Sequence, residues 1–493
     1  MVLRANGRSV PCASGTFVGL PRVDSTPTMV DMPSRFPRPA VALALAALLV
    51  AATTWIAAPL PAAASPAVPD LPATVPATSA IVPGTVNRSS LALDALYDAY
   101  LRIEWGARTI RVDSTATIYN TSGDPIDRLN LNTIAARLGS MRLGPVTVDG
   151  AAVPASISDQ TIVVPLGGIL PAGGVMTVRV QYSATVRSTL SGSNWLFTRT
   201  NGILDLYRWL PWVSRGIKFD RPNNGDPFET PVSRAVKVRI GTSIPLVLAT
   251  TGDLQSISAD RKTQVFVANN VRDFTVTAAT DYRTSSRIVG STTVRVYYRP
   301  GAPGAAMLDA AADTFDAYRK RLGAYPYATF NVVESAGGYG MESPRLIWIP
   351  TGVASSNLRY LAGHETAHQW FYGLVGDDQA TEPFTDEAVA DFVARNVLGL
   401  KRASRCSTGR LDLSIYSYSA TCYYEVIYIQ GGNLLDTARQ QMGSTAFWAA
   451  LKGWADANRY RIATTKSLLD ALDAATPIDL GKTLFAPRFP RLY

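Results

Sequence analysis

The chain has 493 residues, 47% apolar and 17% charged, with 37 Gly and 32 Pro, so it can bury large cores and should form more than one domain. Disordered and collagen-like architectures are excluded by that composition. The net charge of +9 is thin for this length, and Lys and Arg are scattered rather than grouped in runs, which argues against dedicated nucleic-acid binding.

Residues 1–28 are polar, contain Cys12 and fit no targeting pattern, and Met29 or Met32 would make a more ordinary start. Arg35 and Arg38 then precede an Ala/Leu/Val-rich run over 40–58, followed by Ala62-Ala63-Ala64-Ser65. A basic start, an apolar middle and a small-residue cleavage pattern read as a secretory signal cut after Ala64, so 1–64 is assigned to an over-extended signal segment. The alternative is an uncleaved membrane anchor, since about 19 apolar residues can cross a bilayer. Either reading puts the rest of the chain outside the cytoplasm. Residues 65–88 are rich in Pro, Ala, Thr and Ser and poor in large apolar groups, which predicts an unstructured linker.

From 109 to 118, Ile110, Val112, Ala116 and Ile118 alternate with polar residues at the period of a half-buried strand. Similar segments recur at 175–186, 235–240, 263–267 and 292–298, separated by Gly, Pro, Asn and Asp. A β-domain over 89–290, built of antiparallel sheets as a sandwich or saddle, is predicted. The period then lengthens. Leu308, Ala311, Ala312, Phe315, Tyr318 and Leu322 keep the three-and-four spacing of a buried helix face, and Gly323 is placed to stop it. Strands are expected at 330–334 and 346–349 with a turn at 337–340, and helices at 385–398 and 432–442. A mixed, mainly helical α+β domain over 291–493 follows.

The chemistry sits in His364-Glu365-Thr366-Ala367-His368. Two histidines four residues apart share one helix face and can bind one metal ion, while Glu365 stands beside them facing a metal-bound water. These are the only 2 histidines in the chain, so nothing else can supply imidazole ligands, and a Ser or Cys nucleophile has no spare histidine as its base. A catalytic zinc needs a third protein ligand. Glu387, 18 residues beyond His368, lies where Thr385 and Asp386 suit a helix start and can lean back onto the metal. Asp391, one turn further on, is a candidate to accept a hydrogen bond from a liganding imidazole; an exposed carboxylate is the competing reading. Cys406 and Cys422 can close a loop of about 15 residues in an oxidising compartment, the competing reading being two free thiols.

These residues resemble the zinc signature of the gluzincin aminopeptidases related to aminopeptidase N. Four further segments carry the resemblance: His368-Gln369-Trp370-Phe371 continues the zinc helix; Gly340-Met341-Glu342-Ser343 is similar to the G-x-M-E-N substrate strand; Tyr428-Ile429-Gln430-Gly431 is similar to a Y-x-x-G segment; and Ala463-Thr464-Thr465-Lys466-Ser467-Leu468 is similar to a later A-T-x-x-x-L stretch. Departures are Ser343 for Asn, Asp386 for Asn before the third ligand, and Gln430 for Lys.

The resemblance implies a thermolysin-like catalytic domain and one zinc ion per chain, held by His364, His368 and Glu387. It implies Glu365 as the proton carrier and Tyr428 as the hydroxyl that meets the oxyanion, with Tyr423 and Tyr424 as fallbacks. Glu342 would anchor the free α-amino group of a peptide lying along Gly340 and Met341, which makes the enzyme an aminopeptidase. It also implies a short form without the long C-terminal helical domain of many relatives. The competing functions are a thermolysin-like endopeptidase, another zinc hydrolase such as an epoxide hydrolase, and a catalytically idle metal-bound protein.

Overall fold

The structure is a computed structural model, and it describes residues 80–219 and 226–493. The expected signal segment at 1–64 and the first part of the linker lie outside the described residues. Among the described residues, no helix is long and apolar enough to cross a membrane.

Strands Leu93–Glu104 (β1), Thr109–Asn120 (β2), Val175–Thr185 (β3) and Val236–Thr242 (β4) run in the order β4-β1-β2-β3 at the centre of an eight-stranded sheet. Buried residues alternate along β2 as the sequence period requires. Two four-stranded sheets share one apolar core with this sheet. The pairing is antiparallel except between β1 and β4, which run parallel. Parallel neighbours need a long crossover, and the chain between Glu104 and Val236 supplies it. The last residues of the expected linker, 80–88, are not an unstructured tether: the Asp127 carboxylate accepts the backbone N–H groups of Val86, Asn87 and Arg88 at 2.7, 2.6 and 2.9 Å, and Val82 bridges to Ile169.

The second half is built on a five-stranded sheet. Its members are Arg283–Val289 (β5), Thr292–Tyr298 (β6), Thr329–Ser335 (β7), Met341–Ser343 (β8) and Leu346–Pro350 (β9), in the order β5-β6-β7-β9-β8. β5 precedes the expected boundary at 290, yet it pairs with β6 as a hairpin and belongs to this sheet. Helix Gly304–Leu322 (α1) buries Ala311, Phe315, Tyr318 and Leu322, and it stops at Gly323 with φ of 100°. Along β9 the side chains split by alternation: Leu346 and Trp348 join the core of the β-rich half, while Ile347 and Ile349 join the helical core. The same alternation on the edge strand β8 sends Met341 into the β-rich core and leaves Glu342 for the helical side.

Helices Ser355–Ala367 (α2), Val389–Leu398 (α3) and Gly431–Met442 (α4) cover that side. Cys406 and Cys422 are joined by a disulfide.

Candidate active site

Helix α2 is drawn onto the sheet by Leu358 and Ala362, and the Tyr318 hydroxyl of α1 donates to Gly363 O at 2.9 Å. That contact buries the next turn, so His364, Glu365 and His368 are 6%, 5% and 1% exposed. The His364 and His368 Nε2 atoms lie 3.2 Å apart. Glu387 Oε2 lies 3.3 Å from the first and 3.5 Å from the second. Donors about 2.0–2.1 Å from a tetrahedral ion stand roughly 3.3–3.4 Å from one another, so the three atoms are spaced as a zinc ion requires. Glu387 Oε2 is also buried without a hydrogen bond of acceptable geometry, the state expected of an atom reserved for a metal. Burial raises its pKa, but the two imidazoles overcome this and hold the carboxyl well below its usual range.

Glu387 reaches the histidines through a local departure from α-helix. Residues Phe384–Ala388 form a π-helical turn before α3 begins at Val389, where the sequence predicted one helix from 385 to 398. The wider turn re-aims the side chain. Tyr428 sits in a second π-helical segment, Tyr424–Gln430, just before α4. Its ring stacks on His364 with centroids 5.4 Å apart, and Tyr360 stacks on the same imidazole at 6.0 Å. Burial, followed by the Glu387 charge, pushes the Tyr428 hydroxyl well above its ordinary pKa, so it remains an O–H donor. Tyr424 is engaged elsewhere, its hydroxyl lying 3.2 Å from that of Tyr360 and accepting from Arg402 at 3.2 Å. Tyr423 is 2% exposed and its hydroxyl makes no hydrogen bond.

Asp391 is not an imidazole partner. It accepts from the Tyr360 hydroxyl and from Arg395 Nε, each at 2.6 Å, and so reaches His364 only through the stacked Tyr360 ring. Two acceptors face His368 Nδ1 instead: Phe371 O, hydrogen-bonded at 3.1 Å, and the carboxylate of Asp386, whose Oδ1 lies 2.6 Å away at ion-pair distance but off the hydrogen-bond direction. A negative partner there favours the proton on Nδ1 and leaves Nε2 free for a metal.

Glu342 is brought to the same site. Its carboxylate, that of Glu365 and a ring nitrogen of His368 all lie within 4.8 Å of one another. Two glutamines set this geometry, and no motif in the sequence pointed to Gln379. Gln369 donates to Ser343 O at 3.0 Å and accepts from Tyr325 and from Arg345 N at 2.8 and 2.7 Å, clamping β8 to the end of α2. Gln379 donates to Glu342 Oε1 at 3.0 Å and to Asp386 Oδ2 at 2.9 Å. Its own oxygen accepts from Arg208 Nη2 at 3.2 Å, which fixes the amide with its NH2 toward the two carboxylates. Ser343 turns the other way and donates to Asp273 of the β-rich half. Burial pushes Glu342 well above, and Glu365 up to about 7 from, the usual carboxyl range. For Glu365 the nearby imidazoles pull in the opposite sense.

A Cβ built on Gly340 would stand 2.1 Å from Glu365 Oε1. The absence of a side chain there is what lets the carboxylate lie against the edge strand. When Met341 and Glu342 are matched to the M-E of the substrate-strand pattern, its first glycine falls at Tyr339, not at Gly340. Tyr339 is 50% exposed, and its ring lies 5.5 Å from that of Trp195.

No protein-family model and no curated protein matches the sequence. Solved structures do match it in fold. An M1 zinc metallopeptidase from Deinococcus radiodurans aligns with a TM-score of 0.63 at 19% identity, over 84% of this chain and 97% of that one. A variant of that enzyme bound to a Tyr-Ser-Ala substrate gives 0.64 at 19% identity over the same shares. A two-domain M1 zinc metallopeptidase variant bound to L-arginine gives 0.61 at 19% identity, over 80% of this chain and 93% of that one. The β-rich half followed by a helical half is therefore a shared architecture.

Proposed function

We propose that the chain is a zinc metallopeptidase acting as an aminopeptidase on peptides with a free N-terminus. The observation that carries this reading is the convergence of His364 Nε2, His368 Nε2 and Glu387 Oε2 at 3.2–3.5 Å, with Glu365 and Glu342 beside them. A zinc ion held by these three residues supplies Lewis acidity toward a carbonyl and toward water.

Glu365 accepts a proton from the attacking water on its carboxylate and returns it to the leaving amine. Burial of Glu365 raises its proton affinity above that of an exposed carboxylate, which favours taking the proton up. The Tyr428 hydroxyl donates to the oxygen that gains charge in the tetrahedral state. Glu342 pairs with the substrate ammonium, and Gln379 holds that carboxylate in place. β8 is an edge strand, so a peptide can add to it by backbone hydrogen bonds, with its N-terminus at Glu342 and its first peptide bond near Gly340 and Glu365. The tripeptide-bound relative supports peptides as the substrate class.

The test compares an aminoacyl-arylamide with an N-acetylated peptide, with and without a chelator, on wild type and Glu342→Ala. The expected result is chelator-sensitive cleavage of the unblocked substrate, restored by zinc and reduced far more by Glu342→Ala than any cleavage of the blocked one. Preference for the blocked peptide would make the enzyme an endopeptidase, and zinc binding without turnover of either would make it an idle metal protein.

We further propose an extracytoplasmic location. The apolar run over 40–58 and the Cys406–Cys422 bond support it, since disulfides persist in oxidising compartments.

A further inference from the structure

The segment that carries Tyr428 also borders a cavity of about 500 Å3 that no metal-site residue lines. Gln430, Ser404, Thr408, Asn433, Thr483 and Arg488 are among its walls. Arg488 is half-buried. Its Nε and Nη2 donate to Gly409 O at 2.9 and 2.7 Å, and Nη2 also donates to Gln430 Oε1 at 2.7 Å. All of these acceptors are neutral, and Nη1 has no partner among the described residues. Among the described residues, no carboxylate lies within 4.0 Å of the Arg488 guanidinium.

Arg488 is only half-buried and its Nη1 is not closed off from water, so this N–H group faces the open cavity while partial burial removes water from the rest of the guanidinium. Burial accordingly pulls the Arg488 pKa down, with only Tyr418 opposing. Among the described residues, the cavity thus offers one cationic N–H group, Arg488 Nη1, whose fellow nitrogens already hold neutral acceptors. We propose that it binds a small oxyanion, a phosphate or a free carboxylate, with Arg488 Nη1 as the main donor. The Gln430 side chain already joins Arg488 to Gly409 N and to Ser404, so an occupant at Nη1 completes the site without breaking that brace.

The test follows the thermal unfolding midpoint of the full chain in sodium phosphate and in sodium acetate, each against sodium chloride at equal ionic strength. A saturable rise is expected for at least one of the two oxyanions, and which one responds identifies the source. Arg488→Gln should weaken the apparent affinity at least about tenfold. Because Arg488 also holds Gly409, a second variant, Thr483→Glu, places a carboxylate on the exposed rim to compete with the ligand, and it should abolish the response. The proposal is overturned if neither oxyanion exceeds chloride, or if Thr483→Glu responds as wild type does. The readout is independent of peptidase activity.

Discussion

Nδ1 of His368 lies 2.6 Å from a carboxylate oxygen of Asp386, the residue immediately before Glu387. One π-helical turn therefore presents two carboxylates to the same histidine, Glu387 toward the metal position and Asp386 on the opposite ring nitrogen. Loss of such an outer partner typically costs 10–100-fold in metal affinity. Asp386→Ala should weaken zinc binding by about that factor in a metal-buffered competition titration, and Asp386→Asn, which keeps an oxygen for Nδ1–H, should lose less. Equal affinities for all three proteins would remove Asp386 from the metal site.

Gly340 and Glu365 occupy one volume between them. Gly340→Ala puts its new methyl 2.1 Å from Oε1 and 2.6 Å from Cδ of Glu365, so the carboxylate must move. A displacement of about 1 Å at a reacting group costs on the order of 100-fold in rate. Turnover should fall by roughly that amount while zinc content measured by elemental analysis stays at wild-type level. Loss of metal together with activity would show that the backbone, and not Glu365, had been disturbed.

Tyr428→Phe keeps the ring stacked on His364 and removes only the hydroxyl. A donor used in the transition state is worth about 2.7–4 kcal/mol, or roughly 100- to 1000-fold in kcat, with little change in KM. Steady-state kinetics on an aminoacyl-arylamide measure both. An unchanged kcat would return the role to Tyr423, whose hydroxyl is buried without a partner.

Asp205, on the strand Ile203–Leu206, accepts the N–H of Ala336 at 2.8 Å and so holds the start of the 337–340 loop. Burial raises its pKa to about 8, against donation from Ala336 N and Thr277, with the Glu334 charge adding to the rise. In the unfolded chain the value returns to about 3.9. Between those two values the folded chain keeps a proton that the unfolded chain has lost. The stabilising contribution is therefore complete below about pH 4 and is lost as pH climbs to about 8, with a slope of up to about 1.4 kcal/mol per pH unit. Asp205→Asn keeps an acceptor for Ala336 and removes the titration. Urea midpoints from pH 5 to 9 should fall more steeply for wild type than for the variant, and parallel curves would contradict the assignment.

The sequence alone picked out the two imidazoles of the proposed metal site, because the chain has only 2 histidines and because four-residue spacing on a helix is a local rule. It determined the strands whose alternation is clean, β2 and β3 among them, and the α1 helix with its glycine stop. Where local pattern points two ways it decided nothing. In β1, Leu93, Leu96, Tyr97, Tyr100 and Leu101 keep helical spacing, and only pairing with β2 on one side and β4 on the other makes the segment a strand.

Tertiary structure alone decided which carboxylate serves which histidine. Asp386 and Asp391 are both acidic residues near Glu387, but a π-turn aims the first at His368, while the second is taken up by Tyr360 and Arg395. It decided the role of Gln379, which joins Glu342, Asp386 and Arg208 across segments far apart in the chain. Spacing along a chain encodes only contacts that one helix or strand makes within itself. Contacts between elements are set when their apolar faces are buried against each other.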